Sequence, residues 1–387
     1  MFVQSVKIEN INGVKSLHLP LQRHMNLICG PNGIGKSTVL DSIAATFSHG
    51  AKAEIKRFLD SGQGKITVEA GGKEGGKYHL DVKNFHPTQE VLTGTHGLST
   101  YIFSLKTNRT FTYEALDSIS KDPTGNPSRF YQAAQVGISL RDTKNWFVNR
   151  FLYSAHHGSL NEAQLGNLEL AKRCFSLLNP AFTFATVQAS SNEIMVDTPT
   201  GQIYYEYLSS GFKSCLSIMF GLMKEIEYRF PNAKAEDFEG VVLVDEIELH
   251  LHPEWQAKIA GVLHQIFRSM QFIASTHSPH VIQNAEPDTV IALESVDGNV
   301  SRRDLSLYTG TFKGWTVEEV LEEVMGMPDT RTALFNELAS EFGEAIDRED
   351  VESALPLYGR LDSLLHPRNA FRKIARLQLA SIGVKLD

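Results

Sequence analysis

The 387-residue chain is 42% hydrophobic and 21% charged, with a formal net charge of -8, the composition of a globular protein long enough for two lobes or domains. No run of about 18 apolar residues occurs, and the opening MFVQSVKIENINGVK has acid and amide groups inside any would-be apolar core, so neither a membrane span nor a signal peptide is expected. Cys29, Cys174 and Cys215 are odd in number and far apart, which excludes a disulfide framework and a C-x-x-C zinc site and points to a reducing cytoplasm. The acidity is local: residues 316–365 hold 13 acids against 3 bases, and the rest of the chain is nearly neutral.

In chain order, residues 2–9 alternate loosely and read as an edge strand. MNLIC (25–29) is a continuous apolar run, as in a strand buried on both faces of a mixed or parallel sheet, and a helix is predicted from Lys36 to Phe47. KITVEA (65–70) and KYHLDV (77–82), joined by GGKEGG, read as a β-hairpin. The span of about 84–160 shows no clear helical period, despite a strand-like YIFSL (101–105) and the loop DPTGNPS (122–128), and is read as an irregular insertion. A helix over 160–178 and strands near 181–188, 193–197 and 202–208 come next. Beyond them the chain alternates: helix 211–229, strand 240–244, helix 253–270, strand 271–275 and strand 289–295. Strand-helix-strand units imply an α/β fold, a parallel sheet with helices on its faces. Thr316 with Glu319 forms a capping box opening a helical tail.

Gly30-Pro31-Asn32-Gly33-Ile34-Gly35-Lys36-Ser37 satisfies G-x-x-x-x-G-K-[ST] between a predicted strand and a predicted helix, the context that makes it a phosphate-binding P-loop. Gly30, Asn32, Gly33 and Gly35 form the turn whose N–H groups face phosphate, and the helix N-terminus adds positive potential. Lys36 is expected to reach the β- and γ-phosphates of ATP, Ser37 to ligate Mg²⁺ and Thr38 to contact the α-phosphate. The apolar strand 241–244 ends in Asp245 and Glu246. Ligands in such sheets bind at strand C-termini. Asp245 is therefore expected to hold Mg²⁺, and Glu246 to polarise the attacking water. No Cys, Asp or Glu completes a metal-ligand set with His250 and His252 at an obvious spacing, so this segment reads as a loop leading into the helix at Pro253.

IENINGVKSLHLPL with MNLICGPNGIGKSTVLDSI, and VLVDEIELHLHPEWQ with QFIASTHSPHVI, resemble the heads of the SMC, RecF and OLD-like branch of ABC ATPases. Leu208-Ser209-Ser210-Gly211 resembles the ABC signature. The resemblance covers residues 1–296 and implies a P-loop NTPase head of ABC type, with a mixed or parallel sheet and an antiparallel β subdomain. It also implies ATP held between two heads, Ser209 and Gly211 of one contacting the γ-phosphate bound by the other. His277 matches the family's switch histidine, which senses the γ-phosphate and the attacking water. Ile247 and Phe212 depart from the pattern, and Gln89, Gln132 and Gln135 are all candidates for the Q-loop glutamine.

The interval from Lys36 to Ser209 is too short for long coiled-coil arms, and no sustained heptads occur. A DNA-repair ATPase of RecF or SMC type and, further off, a transporter ATPase subunit are the alternatives. From Asp297 onward there is no D-x-D metal pair, so the chain reads as an ATPase without its own nuclease. GWTVEEVLEEVMGMPDTRT and the helices after it resemble the stand-alone ATPases of Septu and retron antiphage defence. That resemblance implies a homodimer or higher oligomer, an HNH endonuclease partner, a reverse transcriptase with its msDNA in retrons, DNA as a contact, and no membrane. Residues 297–387 are expected to form a helical, partner-docking domain. Leu321, Val324, Met325, Leu334, Leu338, Phe342 and Ile346 give apolar stripes with acidic outer faces. Arg368, Arg372, Lys373 and Arg376 read either as partners of those acids or as a nuclease or nucleic-acid contact.

Overall fold

The computed structural model describes residues 1–52, 55–86, 91–109, 115–122, 127–306 and 310–384. They form two compact units, Met1–Met327 and Pro328–Asp387. The expected boundary at 296/297 falls inside a hairpin of the first unit, and Phe312, Val320, Val324 and Met325 lie in that unit's main core.

The centre of the first unit is a six-stranded sheet. Its strands are β3 (Met25–Cys29), β8 (Ile102–Leu105), β12 (Val241–Val244), β13 (Gln271–Ser275), β14 (Val290–Val296) and β15 (Asn299–Arg302), in the spatial order β15-β14-β3-β13-β12-β8. All pairs are parallel except β14–β15. Alternate residues feed two cores: Leu27, Val242, Val244, Phe272 and Ala274 enter one, and Ile28, Val241, Leu243 and Ile273 the other. Burial on both faces is why these strands are continuous apolar runs in the sequence.

One face carries helix α1 (Lys36–Thr46) and an antiparallel sheet of β1 (Phe2–Ile11), β2 (Val14–Pro20), β5 (Gly64–Gly71) and β6 (Gly76–Val82). Its order is β2-β1-β5-β6, so β1 is an interior strand and not the expected edge; Val3, Val6 and Ile8 are fully buried beneath it. A short pair, β4 (His49–Lys52) and β7 (Val91–Thr93), lies beside it in sequence. The other face carries α3 (Thr143–Ser154), α4 (Glu162–Leu178), α5 (Ser210–Arg229) and a three-stranded sheet of β9 (Thr183–Gln188), β10 (Glu193–Thr198) and β11 (Gly201–Tyr204).

The span expected to be irregular therefore contributes β8 to the main sheet and two helices, α2 (Pro127–Val136) and α3. Most of DPTGNPS lies outside the described residues. The expected helix over 253–270 is two helices, α6 (Pro253–Gln256) and α7 (Ile259–Ile266), the first closed by a turn in which Lys258 N–H donates to the Trp255 carbonyl. α8 (Pro279–Gln283) and α9 (Val317–Glu319) complete this unit, the latter opened by the Thr316–Glu319 capping box. The second unit packs α10 (Ala333–Asp347), α11 (Val351–Leu364) and α12 (Ala370–Ser381) around Phe335, Leu338, Phe342, Tyr358, Leu361 and Leu379. Leu334 is exposed, because the turn after the Thr332 cap sends Phe335 inward against Phe371. Among the described residues no helix is long and apolar enough to cross a membrane.

Candidate nucleotide site

The loop from Gly30 to Lys36 leaves the C-terminal end of β3 and enters α1. Its backbone needs glycine at two places for different reasons. Gly30 has φ +135°, and a Cβ there would lie 2.4 Å from the Leu293 carbonyl oxygen of β14. Gly35, at the helix N-cap with φ +107°, would carry a Cβ 3.0 Å from Val14 Cγ2. L-residues are sterically strained at such angles, so the loop cannot keep this path with side chains there. Asn32 and Gly33 are exposed at its crest.

Lys36 is only 5% exposed, and its ammonium donates to the Gly30 and Pro31 carbonyls, each at 2.9 Å. The lysine thus lies along the inside of its own loop. Burial draws its pKa below the ordinary value, while Cys29, Glu248, Asp245 and Glu246 nearby oppose the shift. Ser37 is exposed, and Thr38 accepts a hydrogen bond at 3.2 Å from Asn12 in the β1–β2 turn.

Asp245 and Glu246 follow β12 directly, in the neighbourhood of the loop. Asp245 Oδ1 accepts from Ser37 Oγ at 3.0 Å and from Ser275 Oγ at 2.6 Å. Ser275, the last residue of β13, also accepts from the Glu246 N–H at 2.8 Å. Glu246 has φ +50°, outside the range ordinary for its type. The two oxygens of Ser37 and Asp245 form a hard donor pair suited to a divalent cation such as Mg²⁺.

His277 is exposed just past β13, and its N–H donates to Glu248 Oε1. Glu248 thereby ties the histidine's loop to the turn after β12, a link that no motif announced. Arg109 was equally silent in the sequence. It is 4% exposed and donates through Nη2 to the Asp245 carbonyl at 2.7 Å and to the Glu246 carbonyl.

Ser209 and Gly211 begin α5, at the N-terminus of a 20-residue helix. Ser209 caps it by accepting from the Phe212 N–H at 3.3 Å. Phe212 is core, edge-on to Trp255 of α6 and near Phe182, and a Cβ on Gly211 would lie 2.9 Å from Trp255 Cδ1. Among the described residues, the hydrogen bonds around Ser209 stay within its own helix end, whereas Ser37, Asp245, Ser275 and Glu246 share one network and Lys36 bonds its own loop.

Of the three Q-loop candidates, Gln89 lies outside the described residues and Gln132 is exposed on α2. Gln135 accepts from Ser48, past the far end of α1 from the P-loop. The stretch that leaves the edge strand beside β12 is Lys106–Arg109 and contains no glutamine.

A P-loop on the strand next but one to an acidic-pair strand, with a capped LSSG helix start and an antiparallel subdomain over α1, defines an ABC-type ATPase head. Family models described as "AAA domain" and "AAA domain, putative AbiEii toxin, Type IV TA system" match residues 5–145 and 194–283. Over 399 aligned residues the chain is 40% identical to the Septu protein PtuA of Bacillus thuringiensis, covering 99% of each. It is 27% identical to the "Retron Ec83 probable ATPase" of Escherichia coli over half of this chain and 34% of that one. A Septu protein PtuA from Bacillus mycoides is 24% identical over 88% of this chain and 47% of its own length. The chain belongs to the PtuA family of antiphage-defence ATPases.

Proposed function

We propose that two copies of this chain close head to tail around two ATP·Mg²⁺ and that hydrolysis switches an associated nuclease in a cytoplasmic defence complex. The observation that carries the reading is the position of Asp245, held between Ser37 of the P-loop and Ser275 of the neighbouring strand. In this reading Gly30, Asn32, Gly33 and Gly35 line the phosphates, Lys36 turns from its loop carbonyls to the β- and γ-phosphates, and Thr38 meets the α-phosphate. Mg²⁺, held by Ser37 and Asp245, supplies charge neutralisation on the phosphates. Glu246 orients the attacking water and His277 senses the γ-phosphate. Ser209 and Gly211 of the second copy complete the site, which fits their seat at a helix N-terminus where anions are favoured.

The partner is an HNH endonuclease, joined in retron-type assemblies by a reverse transcriptase and its msDNA, with DNA as the nuclease's substrate. The helical tail is its docking region. Glu246→Gln tests the core of this. The variant should bind ATP, lose at least about a hundredfold in turnover, and shift to a dimer by light scattering when ATP and Mg²⁺ are added. Wild-type hydrolysis by Glu246→Gln would remove Glu246 from its role, and an unchanged mass with ATP would remove the sandwich.

A further inference from the structure

Arg109 lies four residues beyond β8, the edge strand beside β12. Among the described residues its guanidinium directs its hydrogen bonds to two successive carbonyls, those of Asp245 and Glu246, through the single atom Nη2. In an extended strand, successive carbonyls point to opposite sides. Two that converge on one donor require a kink between them, and the kink is present as the left-handed φ of +50° at Glu246. Burial lowers the Arg109 pKa to about 10, against the pull of Asp245, Glu248 and Glu246, so the group remains a cation at neutral pH. A buried cation set on two carbonyls of the acidic turn is costly to desolvate. It is matched to one conformation of that turn.

We propose that Arg109 is a positioning residue for hydrolysis, whose guanidinium holds the Asp245–Glu246 turn in its left-handed form and thereby aims the Glu246 carboxylate. This rests on the reading of Glu246 as the group that orients water. The geometry has a complement on the other side: Ser275, the last residue of β13, takes the Glu246 N–H while Arg109, in the segment after β8, takes its C=O, so the N–H and C=O of Glu246 are held from both flanks. Lys36 and Ser37, which carry the phosphates and metal in that reading, make no hydrogen bond to Arg109. Its loss is therefore expected in turnover and not in nucleotide affinity.

The test measures ATP affinity and single-turnover hydrolysis separately in the full chain for Arg109→Met, Arg109→Lys, Glu246→Gln and the double variant Arg109→Met/Glu246→Gln. Arg109→Met should lower the hydrolysis rate at saturating ATP by about ten- to a hundredfold while the ATP Kd stays within about threefold. Arg109→Lys, which keeps the charge, should recover part of that rate. In the Glu246→Gln background, Arg109→Met should add less than about threefold, because both changes act through one carboxylate. A wild-type rate in Arg109→Met beside an inactive Glu246→Gln overturns the proposal alone. So does a full additional loss in the double variant, or equal losses in rate and affinity. Normal hydrolysis by Glu246→Gln overturns the underlying role of Glu246 and the proposal with it. Should Arg109→Met lose its folded circular-dichroism signal, Arg109→Lys is read by the same split: reduced rate at unchanged Kd supports the proposal, and any other result overturns it.

Discussion

Replacing Ser275 by alanine removes one oxygen from the centre of the site. Its hydroxyl accepts from the Glu246 N–H at 2.8 Å and donates to Asp245 Oδ1 at 2.6 Å, and the residue is 1% exposed. Stranding a buried N–H costs about 1–3 kcal/mol, and losing a hydrogen bond to a carboxylate about 1.5–3 kcal/mol. The second figure belongs at its lower end, because Asp245 Oδ1 keeps the Ser37 hydroxyl at 3.0 Å. Together the loss is about 2.5–4.5 kcal/mol. The three tryptophans, Trp146, Trp255 and Trp315, all lie within Met1–Met327, so urea unfolding followed by tryptophan fluorescence reports this unit. Ser37→Ala is the internal comparison: its hydroxyl is exposed, and its loss should cost less than about 1 kcal/mol. Turnover of Ser275→Ala should fall by about ten- to a hundredfold, since the freed Glu246 peptide no longer fixes the carboxylate. A destabilisation below about 0.5 kcal/mol with unchanged turnover would refute the claim that this hydroxyl organises the acidic pair.

Lys36→Ala should weaken ATP binding at least about a hundredfold by calorimetry while leaving urea stability nearly unchanged, because the ammonium's own bonds are to a loop that has other constraints. Glu227 is fully buried and accepts from Trp146 Nε1, Arg150 Nε and Asn167 Nδ2; Glu227→Ala unpairs Trp146 Nε1 and Arg150 Nε, leaves the buried Arg150 with Asp122 as its one carboxylate, and should cost about 3 kcal/mol in the same urea experiment. In the second unit, Arg372 holds the Asp362 carboxyl below its ordinary pKa of 3.8. The folded form thus binds fewer protons than the unfolded one, and the pair's contribution is present above pH 3.8 and lost as pH falls through and below it. Hydrogen-exchange protection factors in α11 and α12, taken against the intrinsic rate at each pH, should fall over that acidic window in the wild type, and Asp362→Asn should show the lower protection already at neutral pH.

How much of this was legible depended on whether a residue's partners are its sequence neighbours. The P-loop and the acidic pair are runs of adjacent residues on predictable elements, so their types and spacing suffice to propose their chemistry. Arg109 is 136 positions from Asp245, and Ser275 is 29 from Glu246. Arg109 bonds two backbone carbonyls and Ser275 a backbone N–H as well as the Asp245 carboxylate, and backbone partners leave no trace in residue type. The helix α3 was hidden for a different reason. Every residue from Thr143 to Arg150 is buried, so TKNWFVNRFLYS has no polar face to give it a helical period. Lys144 is instead paired with Glu193 and Glu206, and Arg150 with Asp122 and Glu227, across the tertiary fold. The basic end of the tail follows in part the first of its two readings, as partner of the acidic helices: Arg372 meets Asp362 one helix earlier, and Arg376 donates to the Tyr358 hydroxyl. Part of that charge is thereby satisfied within the second unit.

The departure at Phe212 yields to the same argument. A polar residue there would suit an exposed signature end, but the first turn of α5 lies against α6, and position 212 faces Trp255 and Phe182. The same closeness explains Gly211, whose missing Cβ leaves room for the Trp255 ring. Trp255 comes only nine residues after Glu246, with His250 and His252 in the turn between. The loop after the acidic pair and the start of α5 are therefore packed as one piece within a single head. Phe212 is the contact that makes them so, which is why an apolar ring at this position is compatible with the role proposed for Ser209 and Gly211: Ser209 keeps its exposed place at the helix cap while the residue after Gly211 anchors that cap to the acidic strand's own loop.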